Sequence, residues 1–199
     1  MIATAIFLPL FASLFAGVIA FISMDDDQIK RAYLDKLSQY VTCTALIVSA
    51  AISILIFKDV ALSGNDQTLY LLNWIDSGSL NISWSLKIDS LTAVMLIVVT
   101  VVSSMVHIYS IGYMSHDPHK PRFMAYLSLF TFAMLMLVTS DNFIQLFFGW
   151  EGVGLCSYFL IGFWFKKESA NAAAIKAFVV NRVGDFGFAL GIFLIFYLF

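Results

Sequence analysis

One carboxylate, Glu151, stands in the middle of a long apolar stretch that runs from Phe143 to Phe165. The stretch is long enough to cross a bilayer, for which about 20 apolar residues suffice. An ionised side chain near the centre of such a helix costs about 3 kcal/mol or more, so a protein that keeps one generally uses it. The sequence predicts that Glu151 either relays protons or, as the structural alternative, packs helices together as a neutral hydrogen-bonded carboxyl.

The residues that follow Glu151 at helical spacing predict that it faces protein. Gly154, Leu155, Tyr158 and Gly162 share its side of the helix, and small residues allow a second backbone to approach closely. A low-dielectric setting favours the neutral carboxyl. Glu151 is therefore expected to gain and lose a proton during function.

A second charged group lies in the last apolar segment. Arg182 and Asp185 are three residues apart, so they can pair on one helix face. Lys176 lies a little over two turns before Asp185. We expect these three residues to belong to a charge network, and the alternative is a structural ion pair with Lys176 extending its ammonium outward. Gly184, Gly187 and Gly191 predict a packing face on the same helix.

A buried histidine is predicted on the third apolar segment. His107 shares one helix side with four hydroxyl residues, Thr100, Ser103, Ser104 and Ser110. This stripe could line a chain of ordered water and make His107 a proton relay. The alternative is hydrogen bonding between helices, worth about 0.6 kcal/mol per bond in a membrane.

Composition excludes several classes of function. The chain has 199 residues, of which 61% are hydrophobic and 12% charged, against about 25% charged in soluble domains. Its net charge is -2 and no basic patch suits nucleic acid. Cys43 and Cys156 lie in apolar runs, so no disulfide framework is expected. Neither a metal-ligand cluster nor a Gly-rich phosphate loop is found, so we expect no cofactor and no metal in this chain.

Six apolar segments predict an all-α integral membrane protein, since only helices satisfy their own backbone groups in lipid. Their predicted bounds are Ile2–Met24, Val41–Phe57, Leu91–Met114, Phe123–Val138, Phe143–Phe165 and Ala172–Phe199.

The basic residues predict the orientation. Seven basic residues lie in predicted loops on one side of the membrane, and only Lys58 and Lys87 lie on the other side. The seven are Lys30, Arg31, Lys36, Lys120, Arg122, Lys166 and Lys167. The positive-inside rule places the seven in the cytoplasm or matrix and the N-terminus outside. Asp25, Asp26 and Asp27 weigh little in that rule.

The long outer loop between the second and third helices has the pattern of a β-hairpin. Apolar and polar residues alternate from Leu80 to Ile88, which is the period of a strand. Thr68–Ile75 is the expected partner strand and Asp76-Ser77-Gly78-Ser79 the turn. An irregular loop is the alternative.

Two segments carry a family resemblance. The run Trp150-Glu151-Gly152-Val153-Gly154-Leu155-Cys156-Ser157-Tyr158 and the run Asn181-Arg182-Val183-Gly184-Asp185 resemble the fifth and sixth helices of subunit L of proton-pumping NADH:quinone oxidoreductase (respiratory complex I), called chain 5 in mitochondria. Ile88-Asp89-Ser90-Leu91-Thr92 and the region from Ile111 to Phe123 are similar as well. The resemblance covers essentially the whole chain and is specific from Ile88 onward. It implies that the chain is an N-terminal fragment of such a subunit.

The resemblance implies an antiporter-like subunit of the membrane arm that translocates protons and holds no redox centre. NADH, FMN, Fe–S clusters and quinone would then belong to other subunits. It implies that Glu151 pairs with a lysine on a seventh helix, and that Arg182 and Asp185 lie where subunits and half-channels meet. The expected surroundings are the bacterial plasma membrane or the mitochondrial inner membrane, and the expected partners are the other membrane-arm subunits, notably the neighbouring antiporter-like one.

The resemblance also divides the chain into residues 1–87, which hold two helices and the hairpin, and residues 88–199, which begin the antiporter-like domain. The related subunit of Mrp-type cation/proton antiporters is an alternative, although Gly152-Val153-Gly154-Leu155 resembles the complex I form. A structural membrane protein without proton transport is an alternative of another class.

Overall fold

The computed structural model describes residues 1–23, 28–61, 64–78 and 80–198, with only the backbone described at Gln28. It contains six helices and one hairpin: α1 (Ile2–Ile22), α2 (Gln28–Val60), β1 (Gln67–Ser77), β2 (Leu80–Ile88), α3 (Ser90–Tyr113), α4 (Lys120–Val138), α5 (Phe143–Ile161) and α6 (Glu168–Leu198). Six helices among the described residues are long and apolar enough to cross a membrane. The predicted all-α membrane architecture with a hairpin after the second helix is confirmed.

Several predicted helix bounds are wrong. α2 begins at Gln28 rather than Val41, so Lys30, Arg31 and Lys36 lie in its first turns and not in a loop. No Gly or Pro interrupts that stretch, and its Lys, Arg, Leu and Gln residues favour helix although they are too polar for a membrane core. The predicted bounds Met24, Ser79 and Phe199 lie outside the described residues.

The later helices also differ from the prediction. α4 begins at Lys120 because Pro121 is tolerated in the first turn of a helix. α5 ends at Ile161, since Gly162 caps it. α6 begins at Glu168, where an alanine-rich turn extends it ahead of the apolar run.

Side-chain contacts tie the ends of neighbouring helices. Near the start of α2, Arg31 donates to the carbonyl oxygen of Pro118 at 2.6 Å, and Lys120 lies 3.5 Å from the Asp35 carboxylate. These contacts bring the start of α2 to the start of α4. The predicted inner-side cations Arg31 and Lys120 therefore share one end of the bundle.

The hairpin lies over the opposite end of the bundle. β1 and β2 pair antiparallel with two irregularities in register, and the turn places Gly78 at φ +61°, where a residue without Cβ is favoured. Lys87 N–H donates to the Thr139 carbonyl at 2.9 Å, and the Ser85 N–H donates to buried Gln145 Oε1 at 3.1 Å. The hairpin is therefore fastened to the connection between α4 and α5.

The hydrophobic core lies beneath the hairpin. Buried residues from α1, α2, β2, α3 and α4 meet there; they include Ile6, Val60, Leu86, Ile88, Leu96 and Leu135. α4 packs against α1, α2, α3 and α5, whereas α6 packs mainly on α5 and is the least buried helix. The chemistry-bearing helices α5 and α6 thus lie at the open side of the bundle.

Candidate functional site

Arg182 on α6 joins the two carboxylates of the candidate site. Its Nη1 forms an ion pair with Glu151 Oε2 on α5 and lies 3.5 Å from Asp185 Oδ2, one turn further along α6. The Asp185 residue is only 6% exposed. The pairing of Arg182 with Asp185 is confirmed, and the structure adds Glu151 to it across the interface between the helices.

Trp150 completes this arrangement from the residue next to Glu151. Its indole Nε1 donates a hydrogen bond to Asp185 Oδ1 at 2.7 Å. The indole ring also makes an edge contact with Phe188 of α6, with ring centroids 6.1 Å apart. Two polar contacts therefore cross between α5 and α6 at one level, one to each carboxylate.

A cavity of about 350 Å³ opens beside Asp185, between α4, α5 and α6. Its lining mixes polar and apolar groups: Met134, Leu137, Trp150, Val153, Gly154, Ser157, Asn181 and Asp185. It is large enough to hold several water molecules at about 30 Å³ each. Water that occupied this cavity would lie beside Asp185.

The close approach of α5 to α4 is made by glycines that sequence reasoning did not single out. A Cβ on Gly149 would lie 2.6 Å from the Leu137 Cα, and one on Gly152 would lie 3.2 Å from the Ala133 Cβ. Gly154 meets nothing within 4 Å, so its predicted role in close packing is wrong within the described chain. Gly149 and Gly152 flank Trp150 and Glu151, so these two contacts set how closely this part of α5 packs against α4.

The predicted protein-facing side of Glu151 is confirmed only in part, since Leu155 is exposed whereas Tyr158 and Gly162 contact α6. Tyr158 packs on Phe178 of α6 with ring centroids 5.4 Å apart, and the Arg182 guanidinium lies over the same Phe178 ring at 4.4 Å. A Cβ on Gly162 would lie 3.2 Å from the Ala174 Cβ, so this glycine does permit close packing of α6.

His107 is fully buried and bridges α3 to α4. Its Nδ1 lies 2.8 Å from the Ser103 carbonyl oxygen, which can only accept, so Nδ1 carries a proton. Its Nε2 lies 3.0 Å from the Ser128 hydroxyl of α4, within hydrogen-bond distance. Thr100, Ser104 and Ser110 donate to carbonyls of their own helix. The geometry favours the interhelical alternative for His107.

The structure does not bring Lys176 to the cluster. Its side chain is exposed, and it forms no hydrogen bond or ion pair with any residue that the structure describes. Gly184, Gly187 and Gly191 likewise meet no atom within 4 Å of a built Cβ, so their predicted packing face is open in the described part of the chain.

Sequence reasoning missed Trp150 and Gly149. A signal for Trp150 was present, because a tryptophan in mid-membrane needs an acceptor for its N–H and stands beside an acid. No one-dimensional signal separates Gly149 from Gly154, because both lie on the same glycine-rich helix.

Two family models match the chain. Residues 74–124 match the N-terminus of chain 5 of NADH-ubiquinone oxidoreductase (complex I). Residues 140–199 match the transmembrane domain shared by NADH:quinone oxidoreductase and Mrp antiporters. Glu151, Arg182 and Asp185 all fall within the second match.

Curated relatives are similar over nearly the whole chain. NADH-quinone oxidoreductase subunit L of Rhodobacter capsulatus is 59% identical over 84% of this chain and 24% of the relative. NADH-ubiquinone oxidoreductase chain 5 of Triticum aestivum is 54% identical over 98% of this chain and 28% of the relative. The chain therefore spans about a quarter of the length of the curated relatives that it matches.

A solved structure shares the fold. A chain of the membrane-bound sulfane sulfur reductase, an archaeal respiratory membrane complex, superposes with a TM-score of 0.76 at 20% identity, covering 96% of this chain and 36% of that one. Together, the two family matches and the high identity to curated relatives show that this chain belongs to the subunit L/chain 5 family of NADH:quinone oxidoreductase membrane proteins.

Proposed function

We propose that the intact protein translocates protons in the membrane arm of an NADH:quinone oxidoreductase, where quinone reduction in other subunits drives it. The observation that carries the proposal is the cluster of Glu151, Arg182 and Asp185 between two apolar helices, in which Asp185 is buried and Glu151 and Arg182 are partly exposed. Burying charges in a membrane is costly, and such residues mark ion and proton pathways.

The cluster suits proton transfer better than binding of a larger solute. Two carboxylates share one guanidinium, so the set has a net charge of -1 when no proton is bound. A proton or a second cation would neutralise this net charge. The adjoining cavity of about 350 Å³ can hold water that delivers the proton. The expected second cation is the lysine that the resemblance implies on a following helix.

An Mrp-type cation/proton antiporter is the second candidate, because the match over residues 140–199 includes that group. The match of residues 74–124 to complex I chain 5 and the names of the relatives favour the oxidoreductase. The remaining alternative, a membrane protein without proton transport, is decided by the experiment on Glu151 below.

The orientation is part of the proposal. The N-terminus and the hairpin are placed outside, and the ends that carry Arg31, Lys120 and Lys166 are placed in the cytoplasm or matrix. A reporter fused after Lys166 is expected on the inner side, and one inserted at Gly78 on the outer side. A reporter at Gly78 that is found inside would overturn this orientation.

The proposed function is tested by substituting Glu151 in the intact complex. Glu151→Gln keeps the shape of the side chain but cannot ionise, so it is expected to lower NADH oxidation and proton transport in sealed vesicles by about tenfold or more. Glu151→Asp keeps an acid and is expected to retain a substantial part of both. Assembly is checked by the amount of purified complex. If Glu151→Gln pumps as well as the wild type, Glu151 is only a packing residue.

A further inference from the structure

We infer that the groove between the end of α1 and the start of α4 binds an anionic phospholipid. Arg122 contacts the phosphate group of this lipid, and the apolar walls of the groove contact its acyl chains. The inference goes beyond the proposed function and does not depend on Glu151 or on proton transport. It uses the proposed orientation only to place the lipid in the inner leaflet.

Arg122 is a partly buried cation whose charge no described carboxylate compensates. Its Nη2 donates to the Phe163 carbonyl oxygen at 3.1 Å. Its guanidinium lies over the rings of Phe163 and Phe165, 4.6 and 5.3 Å from their centroids. Neither Nη1 nor Nε donates to any residue that the structure describes. These contacts hold the guanidinium in place and leave donors for an anion, and its planar fork suits phosphate oxygens.

The described acids at this end of the bundle have other partners or lie apart from Arg122. Asp35 is paired with Lys120 at 3.5 Å. Asp117 accepts hydrogen bonds from an indole and from a backbone N–H. Glu168, at the start of α6, is exposed and forms no ion pair with Arg122. An anion that approaches Arg122 therefore does not have to displace a described carboxylate.

His119 shows that the rim of the groove is electrostatically positive. It lines the same cavity as Arg122. Partial burial lowers its pKa below the ordinary value, and the charges of Arg122, Arg31 and Lys166 lower it further, whereas Asp117 acts to raise it. Three cations thus act on this rim against one described acid. Such a concentration of positive charge attracts anions.

The rest of the groove is largely apolar. It encloses about 230 Å³, and Gly17, Ala20 and Phe21 of α1 face Ala125 and Tyr126 of α4 across it. Phe21 is 78% exposed, so the groove opens to the side of the bundle, where lipid lies. Free phosphate would use the cation but not these walls, whereas a phospholipid uses both. Basic pockets between membrane helices on the inner side typically bind anionic headgroups.

Contacts between the helices hold the two walls of the groove together. The Ser13 hydroxyl of α1 donates to the Ala125 carbonyl oxygen of α4 at 2.8 Å, and both residues are buried. At the start of α4, the contacts of Arg31 with Pro118 and of Lys120 with Asp35 tie α2 to the same end. The groove is therefore a fixed feature of the bundle end that lies away from the hairpin.

The test is photolabelling of the intact complex in phosphatidylcholine vesicles with a phosphatidylglycerol that carries a diazirine in one acyl chain. Mass spectrometry of the digested protein locates the adducts. We expect adducts on residues 17–21 and 121–126 that are about fivefold or more as abundant as those from a diazirine-bearing phosphatidylcholine. Inorganic phosphate in excess is expected not to reduce them.

Two variants test the cation and the walls separately. Arg122→Gln keeps a donor but removes the charge, so it is expected to lower the phosphatidylglycerol adducts by about fivefold. Lys36→Gln is the matched control, since Lys36 is an exposed cation of the same end that does not line the cavity. Gly17→Leu keeps Arg122 and fills the groove, and a Cβ at Gly17 meets nothing within 4 Å. It is also expected to lower the adducts, even if Arg122→Gln fails to assemble.

Three results would overturn the inference. The first is equal labelling by the two lipids, which is the result expected if Asp25, Asp26 or Asp27, which lie outside the described residues, occupied Arg122 instead. The second is wild-type labelling in Gly17→Leu. The third is loss of the adducts with inorganic phosphate, which would make the ligand free phosphate. None of these results bears on the proposed function, which the Glu151 variants test.

Discussion

Gly149 and Leu137 bring the backbones of α5 and α4 into direct contact, since a Cβ on Gly149 would lie 2.6 Å from the Leu137 Cα and 2.7 Å from its nitrogen. Backbone atoms cannot turn aside as a flexible side chain can. The helix that carries Trp150 and Glu151 is therefore seated at one depth against α4.

Gly149→Ala is expected to destabilise the protein by about 1–3 kcal/mol, because an added methyl group must push the two helices apart. The measurement is the thermal unfolding midpoint of the purified complex, together with its yield. Gly17→Ala is the matched control, since a Cβ at Gly17 meets nothing within 4 Å. Equal midpoints for the two variants would show that α5 can shift without cost.

Asp185→Asn is expected to lower coupled proton transport by about threefold to tenfold, equivalent to about 0.6–1.4 kcal/mol. The amide still accepts the Trp150 N–H but no longer offers a charge to Arg182, so the loss is partial. Lys176→Ala is expected to have a smaller effect, because Lys176 is exposed and Asp185 is buried. The measurement is the rate of proton transport by each of the two variants in sealed vesicles. A larger loss of transport in Lys176→Ala than in Asp185→Asn would contradict the prediction.

His107→Ala is expected to lower stability by about 2–4 kcal/mol, since it leaves a cavity between α3 and α4. Ser128→Ala removes one hydrogen bond to the same imidazole and is expected to cost about 0.6 kcal/mol. In both variants, proton transport per assembled complex should stay close to that of the wild type. A loss of transport with unchanged stability would instead support the relay role for His107.

Asp89→Ala is expected to destabilise the start of α3 by about 1 kcal/mol, because Asp89 caps that helix by accepting the Thr92 N–H at 2.8 Å. Asp89→Asn keeps an acceptor and is the matched control. Thermal unfolding of the two variants and the wild type at neutral pH measures the contribution of the cap.

The same cap predicts a pH dependence. The backbone hydrogen bond from Thr92 lowers the pKa of Asp89 below its ordinary value. The stabilisation is therefore fully present above the ordinary range for aspartate, and it is lost as the pH falls through the lowered pKa. The difference in unfolding midpoint between wild type and Asp89→Asn should change only in that acidic range. A constant difference from neutral pH to below the aspartate range would contradict this account.

The sequence by itself determined the number and order of the membrane helices and the hairpin between the second and the third. Both follow from local patterns, since apolar runs of sufficient length must be helical in lipid and strict alternation indicates a strand. It also singled out Glu151, Arg182 and Asp185, because charges inside apolar runs stand out without any knowledge of the fold. Hydropathy does not locate the helix ends, since the first turns of α2 are polar and nevertheless helical.

Only the tertiary structure decided which residues meet. That Arg182 reaches Glu151 across the helix interface, and that Trp150 binds Asp185, depends on the relative rotation of α5 and α6. The contact of Gly162 with Ala174 sets how closely α6 packs on α5, and the contact of Gly149 with Leu137 sets the depth of α5 against α4. The tertiary structure also decided the role of His107. Its ring contacts Ser103 on its own helix and Ser128 on α4, so it links the two helices. Periodicity shows which face of a helix is polar, but the opposing helix determines what that face touches.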